Sequence, residues 1–294
     1  MGLWPGARPG HPYLAGPPLL VAHRGGAGVA PENTLPAFRN ALERYGSDML
    51  ELDVHLSADG EVVVIHDDTV DRTTDGTGAV AAMSLSQLRE FDAGHRFRDP
   101  EGTPGFRGQG VRIPLFREVL EAFPGARLNV ECKCARVAGP LVALIRRHGA
   151  EHRVLLAAAE ESNRRAVRGY RGPWGASRAQ LRRFYLLHRL PGGHLYTPAA
   201  DTLQIPEWWR GRRILTPRFL REAHRRNLPV QVWTVDDADD MTRLLRMGVD
   251  GIQTDRPDRL AQVLHRETGR PLPPDLLPPA FPPGVPLPPG AVDG

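Results

Sequence analysis

Lysine is almost missing from this chain: of 38 Lys and Arg residues, only Lys133 is lysine. A guanidinium serves wherever else a cation is wanted, so the one compact ammonium marks a position with its own requirement. Cysteine is nearly absent too, with Cys132 and Cys134 alone. On a strand those two thiols share a face. A disulfide between them would be strained, and two thiols cannot complete a zinc tetrahedron. They read as small buried apolar residues, which fits a reducing compartment. No run of about 18 apolar residues exists, which excludes a membrane-spanning helix. Residues 1–18 are rich in proline and glycine and hold no apolar core of signal-peptide length, so a cytoplasmic location is expected. Dense basic runs with interleaved aromatics are also lacking. The formal charge of +4 and pI near 9.5 therefore read as solvated arginine faces, and nucleic acid is not expected as a partner.

What is present is alternation. The 294 residues carry an ordinary 41% hydrophobic and 24% charged content, and one barrel of about 250 residues would use most of them. Short apolar runs at 19–23, 48–54, 62–66, 127–133, 154–158, 202–205, 230–235 and 251–254 read as strands. Helical periodicity lies at 34–45, 115–123, 137–148, 161–167, 217–226, 238–247 and 257–265. Asn33 or Thr34, Thr216 and Asp236 are candidate helix caps. This α/β alternation implies a parallel sheet, and the number of units favours closure into a (β/α)₈ TIM barrel over an open doubly wound sheet. The pattern is weakest at 172–198, where 174–177 is a candidate short fifth strand. Two stretches break the rhythm. Residues 67–112, with one convincing helix at 84–91, read as a small subdomain inserted after the His66 strand, over the barrel mouth. Residues 269–294 read as a proline-rich disordered tail. The expected organisation is thus an extension at 1–18, a barrel at 19–268 containing the insert, and the tail.

The chemistry concentrates in a few residues. Within Glu51-Leu52-Asp53 the carboxylates share one strand face and the apolar residues the other. The same spacing puts Glu131 and Lys133 on one face and the cysteines on the other. Three oxygen-donating side chains from two strands suit a hard divalent cation, Mg²⁺ or Ca²⁺. An internal Glu131–Lys133 ion pair is the alternative, but one lysine cannot balance three buried acids. His23 and His66 each end an apolar run, which places them at the carboxyl ends of strands, where barrel enzymes keep their catalytic groups. Two imidazoles across a phosphate can act as acid and base near neutrality. Arg24-Gly25-Gly26 follows His23 directly, a guanidinium fork beside backbone that a ligand can approach closely. The other nine histidines lack such neighbours and read as surface or structural.

The series Ala22-His23-Arg24-Gly25-Gly26, Pro31-Glu32-Asn33-Thr34, Glu51-Leu52-Asp53-Val54, Asp59-Gly60 and Val64-Ile65-His66-Asp67 closely resembles the glycerophosphodiester phosphodiesterase family. So do Asp71-Arg72-Thr73-Thr74, Glu131-Cys132-Lys133, Val232-Trp233-Thr234-Val235 and the stretch from Gly251 to Pro257. The resemblance implies a TIM-barrel enzyme that uses a divalent cation to hydrolyse glycerophosphodiesters, small-molecule substrates, to glycerol 3-phosphate and an alcohol. It implies metal ligands at Glu51, Asp53 and Glu131, catalytic histidines at His23 and His66, and phosphate contacts at Arg24 and Lys133. Trp233 matches an aromatic near the substrate, while Glu32, Asn33 and Asp255 match supporting loop positions. Cys132 departs from the usual branched aliphatic residue, on a face turned toward the helices. A lysophospholipase D activity on the same fold is the alternative, with Phe97, Phe106, Trp208 and Trp209 as a candidate apolar surface. An inert anion-binding barrel is a third reading, disfavoured by the intact acids and histidine pair. The sequence leaves headgroup preference and oligomeric state open.

Overall fold

A computed structural model describes residues 10–16, 18–167, 169–190 and 192–277. Among these residues ten strands form: β1 (Leu19–Ala22), β2 (Met49–Leu56), β3 (Val62–Val64), β4 (Arg127–Cys132), β5 (Val154–Ala157), β6 (Leu203–Pro206), β7 (Trp208–Trp209), β8 (Arg212–Arg213), β9 (Val230–Trp233) and β10 (Gly251–Thr254). Seven of them pair side by side in the order β5-β4-β2-β1-β10-β9-β6, all in parallel. The gap between β5 and β6 is filled by 174–175, since Leu156 pairs with Trp174 and Gly175 with Thr202, again in parallel. That closes a (β/α)₈ barrel. The expected fifth strand exists, but only as two bridging residues.

β3 corrects one expectation. It is a strand, but it runs antiparallel to β2, with Val54 opposite Val64. Only five residues, 57–61, separate the two strands, too few for the helical crossover that a parallel partner needs. β3 is therefore a hairpin return leaning on the ring. It still carries His66 to the site, because the Ile65 N–H donates to the Asp53 carbonyl at 3.0 Å.

Helices follow the strands with their apolar stripes turned inward. They are α1 (Leu35–Arg39), α2 (Leu85–Leu88), α3 (Phe116–Ala122), α4 (Ala138–Arg147), α5 (Glu161–Ala166), α6 (Arg178–Leu187), α7 (Pro217–His224), α8 (Ala238–Met247) and α9 (Pro257–Thr268). Thr34 and Thr216 cap α1 and α7 as expected. The cap of α8 is Asp237, which accepts from the Asp239 and Asp240 amides. Asp236 is engaged elsewhere, accepting from the Thr254 hydroxyl and the Asp255 amide at 2.9 and 2.8 Å.

The barrel interior is layered. Tyr13, Leu14, Leu19, Val21, Met49 and Leu155 make an apolar floor. Tyr13 comes from the segment read as an N-terminal extension; it plugs the bottom and donates its hydroxyl to the Leu128 carbonyl at 2.8 Å. Above the floor, Gln204 donates to Gln231 at 2.9 Å and Gln253 to the same oxygen at 3.4 Å. Residues 67–112 build a separate apolar cluster around Val70, Val80 and Leu88, closed against β3 by Val63 and Ile65. The segment expected to be disordered from 269 lies against the barrel as far as Leu277: Arg270 pairs with Asp48 at 2.7 Å and Arg44 with Asp275 at 3.6 Å. The rest of that segment, 278–294, lies outside the described residues.

Truncating the floor plug tests this packing. Tyr13→Ala should cost about 3–5 kcal/mol of unfolding free energy, as for other buried aromatics. Tyr13→Phe, which forfeits only the hydrogen bond, should cost about 1 kcal/mol. Denaturant midpoints of the two variants check both values.

Candidate active site

Alternation along β2 turns Glu51 and Asp53 into the barrel while Leu50, Leu52 and Val54 pack outward among the helices. β4 does the same with Glu131, which stands directly across from Asp53 in register. One carboxylate oxygen from each of Glu51, Asp53 and Glu131 lies within 4.8 Å of the others. At an effective dielectric constant near 20, each pair of unit charges at that spacing repels by roughly 3–4 kcal/mol. Lys133 offsets part of this, with its Nζ 3.2 Å from Asp53 and 3.4 Å from Glu131. Glu51 has no Lys or Arg paired with it among the described residues: its nearest aids are the Arg24 amide at 2.9 Å and the His23 ring at 3.9 Å. Burial, and then the Asp53 charge, push the Glu51 carboxyl up to about 8. Asp53 goes the other way. Burial opposes its charge, but Lys133, His66, Arg24 and the Asn33 amide hold it below the usual carboxylate range.

The turn after β1 brings in two more groups. Gly25 and Gly26 adopt φ of +83° and +91°. A Cβ on either would sit within 3 Å of Phe38 or Pro257, so this tight turn requires glycine. It holds His23 with Nδ1 2.8 Å from Asp255 Oδ1 and leaves Nε2 facing Glu51. Burial disfavours the charged ring, yet the Asp255 hydrogen bond and the Glu51 charge outweigh it and raise His23 to about 9. Arg24 lies with Nε 3.6 Å from Asp53 and donates to Glu32 at 3.0 Å.

His66 is built the same way, with Nδ1 2.6 Å from Asp67 Oδ1. Both imidazoles thus keep one nitrogen on a carboxylate and leave Nε2 uncommitted. Arg72, from the insert, donates to Asp67 at 2.6 Å and grips Glu32 with both ends of its fork, at 2.6 and 2.8 Å. A chain of contacts from His66 through Asp67, Arg72 and Glu32 to Arg24 therefore ties the insert to the barrel. Burial works against the Asp67 charge, but the Arg72 and His66 bonds lower it to about 2.

The structure gathers His23, Arg24, Glu51, Asp53, His66, Glu131 and Lys133 in one place. Trp233 is on β9, across the ring from β2 and β4, and 37% exposed. It shares the inward-facing parity of Gln231, at the mouth. Of the candidate apolar surface, Phe97 and Phe106 pack edge to face on each other, with centroids 5.5 Å apart. Trp208 and Trp209 lie instead on the β7–β8 hairpin. Reading Asp255 and Asn33 as loop supports undervalued them. Asp255 holds the His23 ring; Asn33, at φ 57°, donates to the Asp53 carboxylate at 3.0 Å and accepts from its amide at 3.2 Å. A carboxylate placed to orient a histidine is visible only once distant loops meet.

A closed barrel with acids, carboxylate-held imidazoles, a lysine and an arginine at the carboxyl ends of its strands is the layout of an enzyme acting on an anionic substrate. Residues 23–259 match the glycerophosphoryl diester phosphodiesterase family. A glycerophosphodiester phosphodiesterase from Caldanaerobacter subterraneus subsp. tengcongensis is 32% identical over 255 residues, 84% of this chain and 98% of that protein. The crystal structure of glycerophosphodiester phosphodiesterase from Agrobacterium tumefaciens superposes with a TM-score of 0.68 at 30% identity, covering 83% of this chain and 99% of the other. An Oleispira antarctica phosphodiesterase, solved with the product sn-glycerol-3-phosphate, gives 0.67 at 25% identity over 84% and 97% of the two chains. The chain belongs to the glycerophosphoryl diester phosphodiesterase family and is an enzyme.

The two raised groups fix the sign of a pH effect. His23 and Glu51 both bind protons more tightly folded than unfolded, so each stabilises the fold at low pH and loses that contribution as pH rises through about 8 to 9. In chelator the melting temperature should fall between pH 7 and 9.5, and Asp255→Asn should shrink the fall. A melting temperature that is flat or rising over that range would contradict the assignment.

Proposed function

We propose that this enzyme hydrolyses glycerophosphodiesters to glycerol 3-phosphate and an alcohol, using a divalent cation and the histidines His23 and His66. The observation that carries this reading is the convergence of Glu51, Asp53 and Glu131 beside two carboxylate-oriented imidazoles. The donor set fits the cation: all ligands are carboxylate oxygens, a hard set that suits Mg²⁺ or Ca²⁺. Glu51, buried beside Asp53 and paired with no Lys or Arg among the described residues, is a donor whose charge such an ion would offset. When bound, the cation would supply Lewis-acid stabilisation of the phosphate oxygens.

The chain's own groups do the rest. Arg24 and Lys133 hold the remaining phosphate oxygens, and Trp233 borders the glycerol or headgroup at the mouth. One imidazole takes the proton from the attacking nucleophile, water or the glycerol 2-hydroxyl, while the other returns one to the departing alkoxide. Asp255 and Asp67 hold the Nδ1 atoms and so fix the ring orientations, leaving both Nε2 atoms for proton transfer. The catalytic unit spans 19–268 with its insert at 67–112, and Arg72 couples the insert to the site. Among the described residues no helix is long and apolar enough to cross a membrane, and Cys132 and Cys134 are free thiols. The free thiols support the cytoplasmic reading. A second reading, lysophospholipase D action, is favoured by the exposed Trp208 and Trp209 near the mouth.

His66→Ala should lower turnover of glycerophosphocholine at least a hundredfold with the fold unchanged, and retention of more than about a tenth of the rate would refute an acid–base role. Repeating the assay on His23→Ala with a p-nitrophenyl leaving group separates the roles, since only the variant lacking the acid should recover. Glu51→Gln should abolish the response to added Mg²⁺ or Ca²⁺. Turnover of lysophosphatidylcholine in preference to glycerophosphocholine would decide for the second reading.

A further inference from the structure

Strand β6 ends at the catalytic end of the barrel, and the chain then makes a small hairpin before α7. Trp208 pairs with Arg213 and Trp209 with Arg212 in antiparallel register. Arg210 and Gly211 form the two-residue turn, at φ of 49° and 73°, the left-handed pair that matches the twist of a tight hairpin. Consecutive strand residues face opposite ways. Each face of this wedge therefore carries one tryptophan beside one arginine, with Arg210 at the tip. Arg213 lies over the Trp208 ring at 5.7 Å and Arg210 over Trp209 at 6.0 Å. Trp208 is 56% and Trp209 46% exposed.

The wedge is held rigidly. Glu207 at its base takes both ends of the Arg243 fork from α8, at 2.9 and 2.7 Å, and its carbonyl accepts from the Ile214 amide at 2.8 Å. Two large aromatics are thus kept in water by a built support, an arrangement that calls for a partner. A protein partner would cover one face. Aromatic rings on both faces, flanked by guanidinium groups that no acidic side chain pairs at Arg210 and Arg212 among the described residues, fit a fluid layer instead. Tryptophan favours the interface between headgroups and acyl chains, and arginine favours anionic headgroups. The net charge of +4 adds long-range attraction of the same sign.

We propose that the β7–β8 hairpin docks the enzyme on an anionic phospholipid surface, with the barrel mouth turned toward it. Residue Pro206, just before the wedge, is the register partner of Trp233, so a docked hairpin sets the entrance beside the interface. The inference stands apart from the reaction proposed above, because docking is read without turnover.

Co-sedimentation of the full chain with large vesicles tests it. Vesicles of phosphatidylcholine and phosphatidylglycerol in equal parts should retain the protein, and vesicles of phosphatidylcholine alone should hold it at least tenfold more weakly. Trp208→Ser with Trp209→Ser should lose binding at least tenfold at unchanged melting temperature. Arg210→Gln with Arg212→Gln should erase the preference for the anionic vesicles. The proposal is overturned if the wild-type chain stays in the supernatant with mixed vesicles, or if the tryptophan variant binds as the wild type does. It is overturned equally if sedimentation velocity shows a self-association that the tryptophan substitutions abolish, since the hairpin would then be a contact between copies.

Discussion

Three acids held within one ion's reach at the top of a barrel are the constraint that organises this protein. Glu51, Asp53 and Glu131 lie close enough to repel strongly, and two are almost wholly buried. The surrounding groups answer that charge in a fixed order. Lys133 meets Asp53 and Glu131, Asn33 and Arg24 meet Asp53, and Glu51 is left with an amide and an imidazole. The lone lysine of the chain stands where a compact ammonium fits between two carboxylates, with no room needed for a planar fork.

That arrangement extends outward through pairs of oriented groups. Each histidine is tied through Nδ1 to a carboxylate, and each carboxylate is held in turn. Asp255 follows a backbone anchored on Asp236, while Asp67 is gripped by Arg72. The insert thereby becomes part of the site, since Arg72 also clamps Glu32, which holds Arg24. Below the acids, the polar glutamine layer and the apolar floor around Tyr13 keep the strands at the spacing the site needs.

Much of the site was legible because strand alternation is a local rule. Period two puts Glu51 with Asp53 and Glu131 with Lys133 on inward faces whatever the rest of the chain does. The direction of β3 was less legible. Its apolar run looks like any barrel strand, and only the five-residue link to β2 shows that it must turn back. The brevity of the strand at 174–175 and the helix capping by Asp237 escaped for a similar reason: neighbouring residues compete for the same role, and packing chooses.

By itself, the sequence determined the alternating pattern that closes into a barrel, the residue types able to hold a hard cation and move protons, and the scarcity of lysine that singles out Lys133. These follow from periodicity and side-chain chemistry, which need no partner. Tertiary structure alone decided that Asp255 would orient His23 across 232 residues of chain, that Tyr13 would seal the barrel floor, and that the insert would reach the site through Arg72. Each of these is a meeting of segments far apart in sequence, and only the closed barrel sets which segments meet.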